Sequence, residues 1–315
     1  MIHAEKENEA MAKQESLDRV AQLGAACGCS VKREEPMKQH VTMRVGGPAD
    51  LFLRVPTEEA LRKVLLCCRE EGLPYYLVGR GSNLLVSDRG IEGVVLHLVD
   101  DLRRIRREGN EVICGAGASL ASVCAFAREN SLSGLEFAWG IPGSAGGAAY
   151  MNAGAYKGEM RDVLTAVRYM RPDGTVREYQ GEELQLSYRH SVFMETDGII
   201  LSLRLRLQSG DPVQIGARME HLMQLRCEKQ PYDLPSSGST FKRPEGYFAA
   251  ALIEQCGLKG LRVGGAQVSP KHSGFVVNDQ NGTCQDVLDV VEKVKEAVRR
   301  ETGVQLECEV RLIGR

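Results

Sequence analysis

The chain lacks the short fingerprints by which nucleotide-handling proteins are usually recognised. No G-x-x-x-x-G-K-[ST] run occurs, and the two stretches that begin like a Rossmann turn, Gly79-x-Gly81-x-x-Leu84 and Gly115-x-Gly117-x-x-Leu120, put leucine where the third glycine should stand. Gly143-Ser144-x-Gly146 is no nucleophile elbow, because Pro142 occupies the leading glycine position. No apolar run approaches the length of a membrane span, so no membrane insertion is expected. Positive charge is not in excess: 40 Lys and Arg face 42 Asp and Glu, a formal net charge of -2, which leaves no basic stripe for nucleic acid. Small anionic ligands stay open, since a few local cations suffice for them. The C-x-x-C pattern of a metal site is also missing, and no metal is expected. The ten cysteines include Cys27/Cys29 and Cys67/Cys68, too close for ordinary bridges, and no secretory signal precedes them. They read as reduced thiols, small buried hydrophobes of a cytoplasmic protein. Internal repeats and low-complexity tracts are absent too.

What is present is ordinary globular material, 43% hydrophobic and 26% charged, in a chain of 315 residues that is long for one core and implies two or three packed domains. Residues 1–35 are polar with a weak helical pattern (Leu17, Val20, Ala21, Leu23) and read as an accessory lead-in, with order beginning near Val41. A strand over Ala49 to Val55 precedes a helix capped by Thr57, with Leu61, Val64, Leu65 and Cys68 on one face and Gly72 at its end. Short strands are expected at Tyr75 to Val78, Leu84 to Val86, Val94 to Leu98 and Glu111 to Cys114, then a helix capped by Ser119. Strands at Ala166 to Met170, Val176 to Tyr179 and Ile199 to Leu207 follow, and Ser209-Gly210-Asp211-Pro212 suggests a domain boundary. The last third reads as a helix over about Gln214 to Lys229, a short helix stopped by Gly257, and a long one after Thr283. That long helix has Asp286 at capping-box spacing and a stripe of Val287, Val290, Val291, Val294 and Val298.

Chemistry concentrates in two glycine-rich loops, Gly79 to Asn83 and Gly140 to Gly147. Glycine lets a backbone take positive φ and approach a ligand, so that successive N–H groups can converge on phosphate oxygens. Either loop alone could simply make a turn; two together point to a pyrophosphate. Two polar clusters, Ser187-Tyr188-Arg189-His190-Ser191 and Ser236 to Lys242, could be solvated turns or sites. A C-terminal strand over Val304 to Leu312 would alternate Val304, Leu306, Cys308, Val310 and Leu312 inward with Gln305, Glu307, Glu309 and Arg311 outward. Glu309 is then either an acid or base in a cleft or the outer face of a sheet.

In order along the chain stand Arg44-Val45-Gly46-Gly47-Pro48-Ala49-Asp50, Val78-Gly79-Arg80-Gly81-Ser82-Asn83-Leu84-Leu85, Gly140-Ile141-Pro142-Gly143-Ser144-Ala145-Gly146-Gly147, Met151-Asn152-Ala153-Gly154-Ala155-Tyr156, Ser187-Tyr188-Arg189, Gly238-Ser239-Thr240-Phe241-Lys242, Gly265-Ala266-Gln267-Val268-Ser269 and Glu309-Val310-Arg311. This series resembles the UDP-N-acetylenolpyruvoylglucosamine reductase (MurB) family from about residue 40 to the end. The resemblance implies an α+β protein. An FAD-binding cradle of the vanillyl-alcohol-oxidase (PCMH) type would occupy residues 36–208 in two lobes, with a C-terminal α+β substrate-binding domain over 209–315 and an N-terminal extension over 1–35. It further implies non-covalent FAD, held by Gly79, Arg80, Gly81, Ser82 and Asn83, by Gly117, by Ile141, Pro142, Gly143, Ser144, Gly146 and Gly147, and by Asn152, Ala153, Gly154 and Ala155.

By the same resemblance NADPH reduces the flavin, and a UDP-sugar enolpyruvyl ether then takes its place and accepts hydride, a step in peptidoglycan precursor synthesis and so in cell wall biogenesis, cell shape and cell division. Negative charge then develops beside the substrate carboxylate. Arg189 would fork onto it, Glu309 would assist at the enol, and Ser239 would donate the proton, supported by Lys242. Departures from the commonest pattern are Ala145 for a frequent valine and Arg243 after Lys242. The short span between Arg189 and Ser239 resembles the subtype without a substrate-covering tyrosine insertion, leaving Tyr188, Lys242, Arg243 and Tyr247 as candidates for substrate contact. A monomer fits the sequence, which does not fix the oligomeric state. Three alternatives stay open: an oxygen-using flavin oxidase of the same cradle, a nucleotide-binding regulator, and a thiol-based redox sensor.

Overall fold

Leu17, Val20 and Ala21, the apolar residues of the weak N-terminal pattern, are buried, which makes that segment part of the core. In the computed structural model, which describes residues 2–315 and side chains from residue 11, they lie on α1 (Ile2–Ala26). Order therefore begins well before Val41. The helix is also pinned electrostatically, with Lys13 Nζ 3.0 Å from Asp50 Oδ2 and 2.9 Å from Glu92 Oε1. The chain divides into two compact units that interleave in sequence. Residues up to Glu35, Ala49–Gly79 and Glu92–Leu222 form the first; Pro36–Pro48, Arg80–Ile91 and Met223–Arg315 form the second.

The first unit holds a four-stranded sheet in the order Ser30–Pro36, Pro48–Val55, Ile91–Leu98, Tyr75–Leu77. Against it packs α2 (Glu58–Glu70), opened by Thr57 Oγ1 accepting from Ala60 N and burying Leu61, Val64, Leu65 and Cys68. A second, antiparallel sheet runs Val176–Gln180, Leu164–Met170, Ile199–Arg206, Glu111–Gly115, Ile105–Glu108. It is covered by α3 (Leu120–Glu129), capped by Ser119, and by the short α4 (Ala145–Tyr150), which the glycine-rich sequence did not announce. The helix α5 (Pro212–Lys229) carries the chain from one unit to the other.

In the second unit the antiparallel sheet runs Ser236–Ser239, Phe275–Asn278, Ala266–Val268, Arg262–Val263, and α6 (Ala249–Gln255) and α7 (Cys284–Thr302) accompany it. The valine stripe of α7 is buried along its length, each side chain contributing about 1.5–3 kcal/mol on removal from water. Thr283 and Asp286 form the expected capping box, and Asp88 adds acceptors for Cys284 N at 2.8 Å and Gln285 N at 3.0 Å. Hydrogen bonds from Thr283 N and Gly265 N hold the Asp286 carboxyl below the usual carboxylate range. A folded pKa lowered in this way adds stability above the unfolded value, about 4, and that stability is lost as pH falls through the folded one.

Two expectations are corrected. The polar run from Ser236 enters the sheet as a strand instead of a solvated turn. The C-terminal strand is confined to Arg311–Ile313, paired parallel with Leu84–Val86, and Leu312 is 53% exposed, not inward. Upstream of it the backbone bonds singly to neighbours, Lys242 N to Glu307 O and Glu309 N to Thr240 O, so extended shape persists without a ladder. Among the described residues no helix is long and apolar enough to cross a membrane, and no grouping of His, Cys, Asp and Glu could hold a metal ion.

All ten cysteines are free. Burial pushes the thiols of Cys68, Cys114, Cys124 and Cys284 up to about 12, so their thiolates are scarce at neutral pH, whereas Cys227 is exposed. Under native conditions an iodoacetamide pulse followed by mass mapping should label Cys227 first and those four only on unfolding. Early labelling of Cys114 or Cys124 would contradict this packing.

Candidate active site

In the first unit the strand Glu111–Gly115 runs into a tight turn before α3, and the Gly140–Ser144 loop runs into α4; the two are stitched together. Leu120 N donates to Gly143 O at 3.0 Å, Ala145 N to Ala118 O at 2.8 Å and Gly146 N to Ala116 O at 2.9 Å, flanking a single bridge between Ser119 and Ser144. Buried Ser144 caps α4, its Oγ accepting from Gly147 N at 3.2 Å. Gly79 lies against this cap so closely that a Cβ there would stand 2.3 Å from Ser144 Oγ.

The stitching sorts the residues expected to hold a cofactor. The N–H groups of Gly143 and Ser144 find no acceptor among the described residues. By contrast Gly117 N is spent on Leu102 O, Gly146 N on Ala116 O, Asn152 N on Ala149 O and Ala153 N on Ala148 O. Gly154 and Ala155 pair with Glu159 and Gly158 in a two-residue ladder. Ile141 N is taken by Ala138 O, and Pro142 has no N–H.

The Ser187–His190 turn belongs to the same unit. Ser187 and His190 exchange backbone bonds at 3.2 and 3.1 Å, and Arg189 between them takes a left-handed φ of 54°. Its guanidinium carbon sits 5.1 Å from the Tyr188 ring centroid, and Nη2 donates to Gly154 O at 3.5 Å. Tyr188 is half exposed.

The second unit carries the rest. The Arg80–Asn83 turn presents the N–H groups of Arg80, Gly81 and Ser82 with no acceptor among the described residues, although Gly81 is buried. Gly81 has φ 61°, and a Cβ there would lie 2.3 Å from His40 O and 2.6 Å from Val41 Cα, so only glycine closes this turn. Asn83 ties the turn to the C-terminal segment: its Nδ2 donates to Glu309 O at 3.1 Å, and its carbonyl accepts from Arg311 N at 3.0 Å. Ser239, exposed, ends its strand just past a break in register, with Gly238 at φ 76°. Thr240 is buried next to it, accepting from Val276 N at 3.0 Å on Oγ1 and from Glu309 N at 2.9 Å on its carbonyl. Ser239, Glu309 and the Arg80–Ser82 turn are thus joined by backbone bonds within one unit.

Lys242 Nζ donates to Glu307 Oε2 at 3.2 Å, an exposed pair worth little. The guanidinium of Arg243 lies 4.6 Å from the Phe248 ring centroid, and Tyr247 is 51% exposed in the turn that follows. Arg189 is carried by the other unit. Sequence reasoning missed Thr240, Asp88 and the buried links of Asn152, because nothing in a serine- and glycine-rich run says which hydroxyl or amide turns inward. The unpaired donors in glycine turns suit a diphosphate or similar anion, which N–H groups bind without a counter-cation.

A profile described as the C-terminal domain of UDP-N-acetylenolpyruvoylglucosamine reductase matches residues 230–313, and one described as an FAD binding domain matches residues 49–180. The UDP-N-acetylenolpyruvoylglucosamine reductase of Clostridium novyi (strain NT) is 46% identical over 284 residues, covering 90% of this chain and 92% of the relative. That of Geobacillus kaustophilus (strain HTA426) is 47% identical over 285 residues, covering 90% and 93%. Among solved structures, UDP-N-acetylenolpyruvylglucosamine reductase (MurB) from Thermus caldophilus superposes with a TM-score of 0.78 at 36% identity, covering 90% of this chain and 99% of that one.

The steric argument at Gly81 is testable against Gly246, which has φ 74° but open space around its Cβ position. Gly246→Ala should lose only the left-handed backbone cost, about 1–2 kcal/mol in urea unfolding. Gly81→Ala should lose more, because backbone must also move. Equal losses would mean that the turn has room for a side chain.

Proposed function

The chain belongs to the UDP-N-acetylenolpyruvoylglucosamine reductase family, and from that premise we propose that Arg189, Ser239 and Glu309 carry its substrate half-reaction. The protein is an FAD-containing oxidoreductase that uses NADPH to reduce UDP-N-acetylglucosamine enolpyruvate to UDP-N-acetylmuramate, a peptidoglycan precursor. Its fold is α+β, an FAD-binding domain followed by the family's C-terminal domain. We assign the flavin to residues 36–208, the UDP-sugar to residues 209–315 and an accessory role to residues 1–35. We assign the enzyme to the cytoplasm, where it would serve cell shape and division through wall synthesis. From the short span between Arg189 and Ser239 we assign it to the subtype without the tyrosine insertion.

The residues fit the cofactor: the N–H groups of Arg80, Gly81, Ser82, Gly143 and Ser144 are the donors we assign to the FAD diphosphate. The remaining expected positions, from Gly117 to Ala155, shape the cradle by packing. Bound FAD supplies the hydride relay between NADPH and the enolpyruvyl group. The protein supplies orientation and a proton. Arg189 offers paired donors to the substrate carboxylate, on which charge grows as the adjacent carbon becomes carbanionic. Glu309, whose own N–H and C=O are bonded to Thr240 O and Asn83 Nδ2, assists at the enol oxygen through its carboxyl. Ser239 Oγ passes its proton to the carbon beside the carboxylate and recovers one from solvent, to which it is open. We assign contacts with the sugar nucleotide to Tyr188, Lys242, Arg243 and Tyr247. The observation that carries this reading is the Glu309 N–H bond to Thr240 O at 2.9 Å, which sets a carboxylate and a serine hydroxyl, distant in sequence, on adjoining backbone.

Flavin reduction by NADPH involves no substrate carbanion, so Ser239→Ala should be reduced at close to the parental rate. Reoxidation by the enolpyruvyl substrate should fall by about 10²- to 10⁴-fold, the usual contribution of a general acid. Stopped-flow flavin absorbance reads each half separately. Reoxidation at the parental rate would remove Ser239 from the mechanism.

A further inference from the structure

Asn152 stands in a stretch assigned to the cofactor, yet its side chain faces elsewhere. It is fully buried at a left-handed φ of 41°, a conformation that asparagine tolerates better than most residues. Both amide hydrogens are committed: Nδ2 donates to Ser187 O at 2.9 Å and to Glu159 Oε2 at 3.1 Å. Oδ1 accepts from Arg161 N at 2.8 Å. Three chain segments therefore meet on one amide.

We propose that Asn152 is a positioning residue for Arg189, acting through the carbonyl of Ser187. This rests on the role given to Arg189 above. The Ser187 carbonyl also accepts from His190 N at 3.1 Å, so it is the root of the turn that holds Arg189 at its left-handed φ. Next along the chain, Ser191 Oγ donates to Tyr150 O at 2.7 Å, and Arg189 Nη2 meets Gly154 O at 3.5 Å. The segment 150–154 thus grips the arginine turn at its base, beyond its base and at the guanidinium, and Asn152 supplies the only grip made by an amide side chain that is itself enclosed. Glu159 in turn is oriented by the Arg161 guanidinium and by the capping box it forms with Asp162. Misplacing a substrate-orienting arginine by an ångström costs turnover without abolishing the fold, and a loss of about 10- to 100-fold is the expected scale.

The test uses the flavin-loaded enzyme, with Asn152→Gly chosen because glycine keeps the left-handed backbone. The loss should be concentrated in one half-reaction: the limiting rate of reoxidation by the enolpyruvyl substrate falls about 10- to 100-fold, whereas reduction by NADPH falls far less. In an Arg189→Ala background the same substitution should add nothing, since the two act as one unit. A full additional loss in that background would overturn the proposal, as would no loss in the parent or an equal loss in both half-reactions, which would mark Asn152 as a flavin ligand. If Arg189→Ala alone left reoxidation intact, the role of Arg189 would fall, and the coupling with it. Should Asn152→Gly fail to fold, Glu159→Ala removes one of the amide's two acceptors; a smaller loss confined to reoxidation supports the proposal, and no loss overturns it.

Discussion

Backbone N–H groups that find no acceptor among the described residues are the constraint to which the surrounding structure answers. A protein normally pairs such donors, and leaving Arg80, Gly81 and Ser82 open in one turn, and Gly143 and Ser144 in another, requires that the turns be held by other means. Those means are specific. The first turn is closed by a glycine pressed against His40 and Val41 and tied by Asn83 to the backbone around Glu309. The second is stitched to the Ala116–Leu120 segment by three backbone bonds and capped by Ser144. Each turn is held by its neighbours' bonds and packing, which leaves its own donors arranged for an anion.

Buried asparagines recur as the fasteners. Asn278 donates to Met43 O at 3.1 Å and accepts from Gly282 N at 2.6 Å, holding the 36–48 segment to the sheet of the second unit. Asn152 does the same for the arginine turn of the first. An amide is suited to this work because it donates and accepts at once, carries no charge to desolvate, and tolerates the left-handed backbone that tight turns impose. The cost is that a lost amide strands several backbone groups together.

Much of the secondary structure was legible because it rests on local physics. The Thr57, Ser119 and Thr283 caps and the valine stripe of α7 all state their structure within a few residues. The strands Ala266–Val268 and Phe275–Asn278 were not read, the first being only three residues long and the second buried on both faces, with no alternation to show. The N-terminal helix was undervalued because its apolar stripe is sparse; only packing against α2 and the ion pairs of Lys13 reveal it as core. Leu312 went the other way, since alternation assigns a face but cannot say whether anything covers it.

The sequence by itself determined the family, and with it the α+β fold and the flavin chemistry, because glycines at fixed spacing, Ser239, Glu309 and Arg189 are recognisable as ordered motifs whatever surrounds them. It also determined the helices, whose caps and stripes are local. Tertiary structure decided which donors in the glycine loops remain available. Hydrogen bonds to Leu102, Ala116, Ala148 and Ala149 withdraw some N–H groups and leave others open, and such pairings join residues whose separation in sequence carries no signal. It likewise decided that Asn152 faces Ser187 and Glu159, because a side chain's partner is set by what the fold brings within three ångströms of it, not by the motif in which it is written.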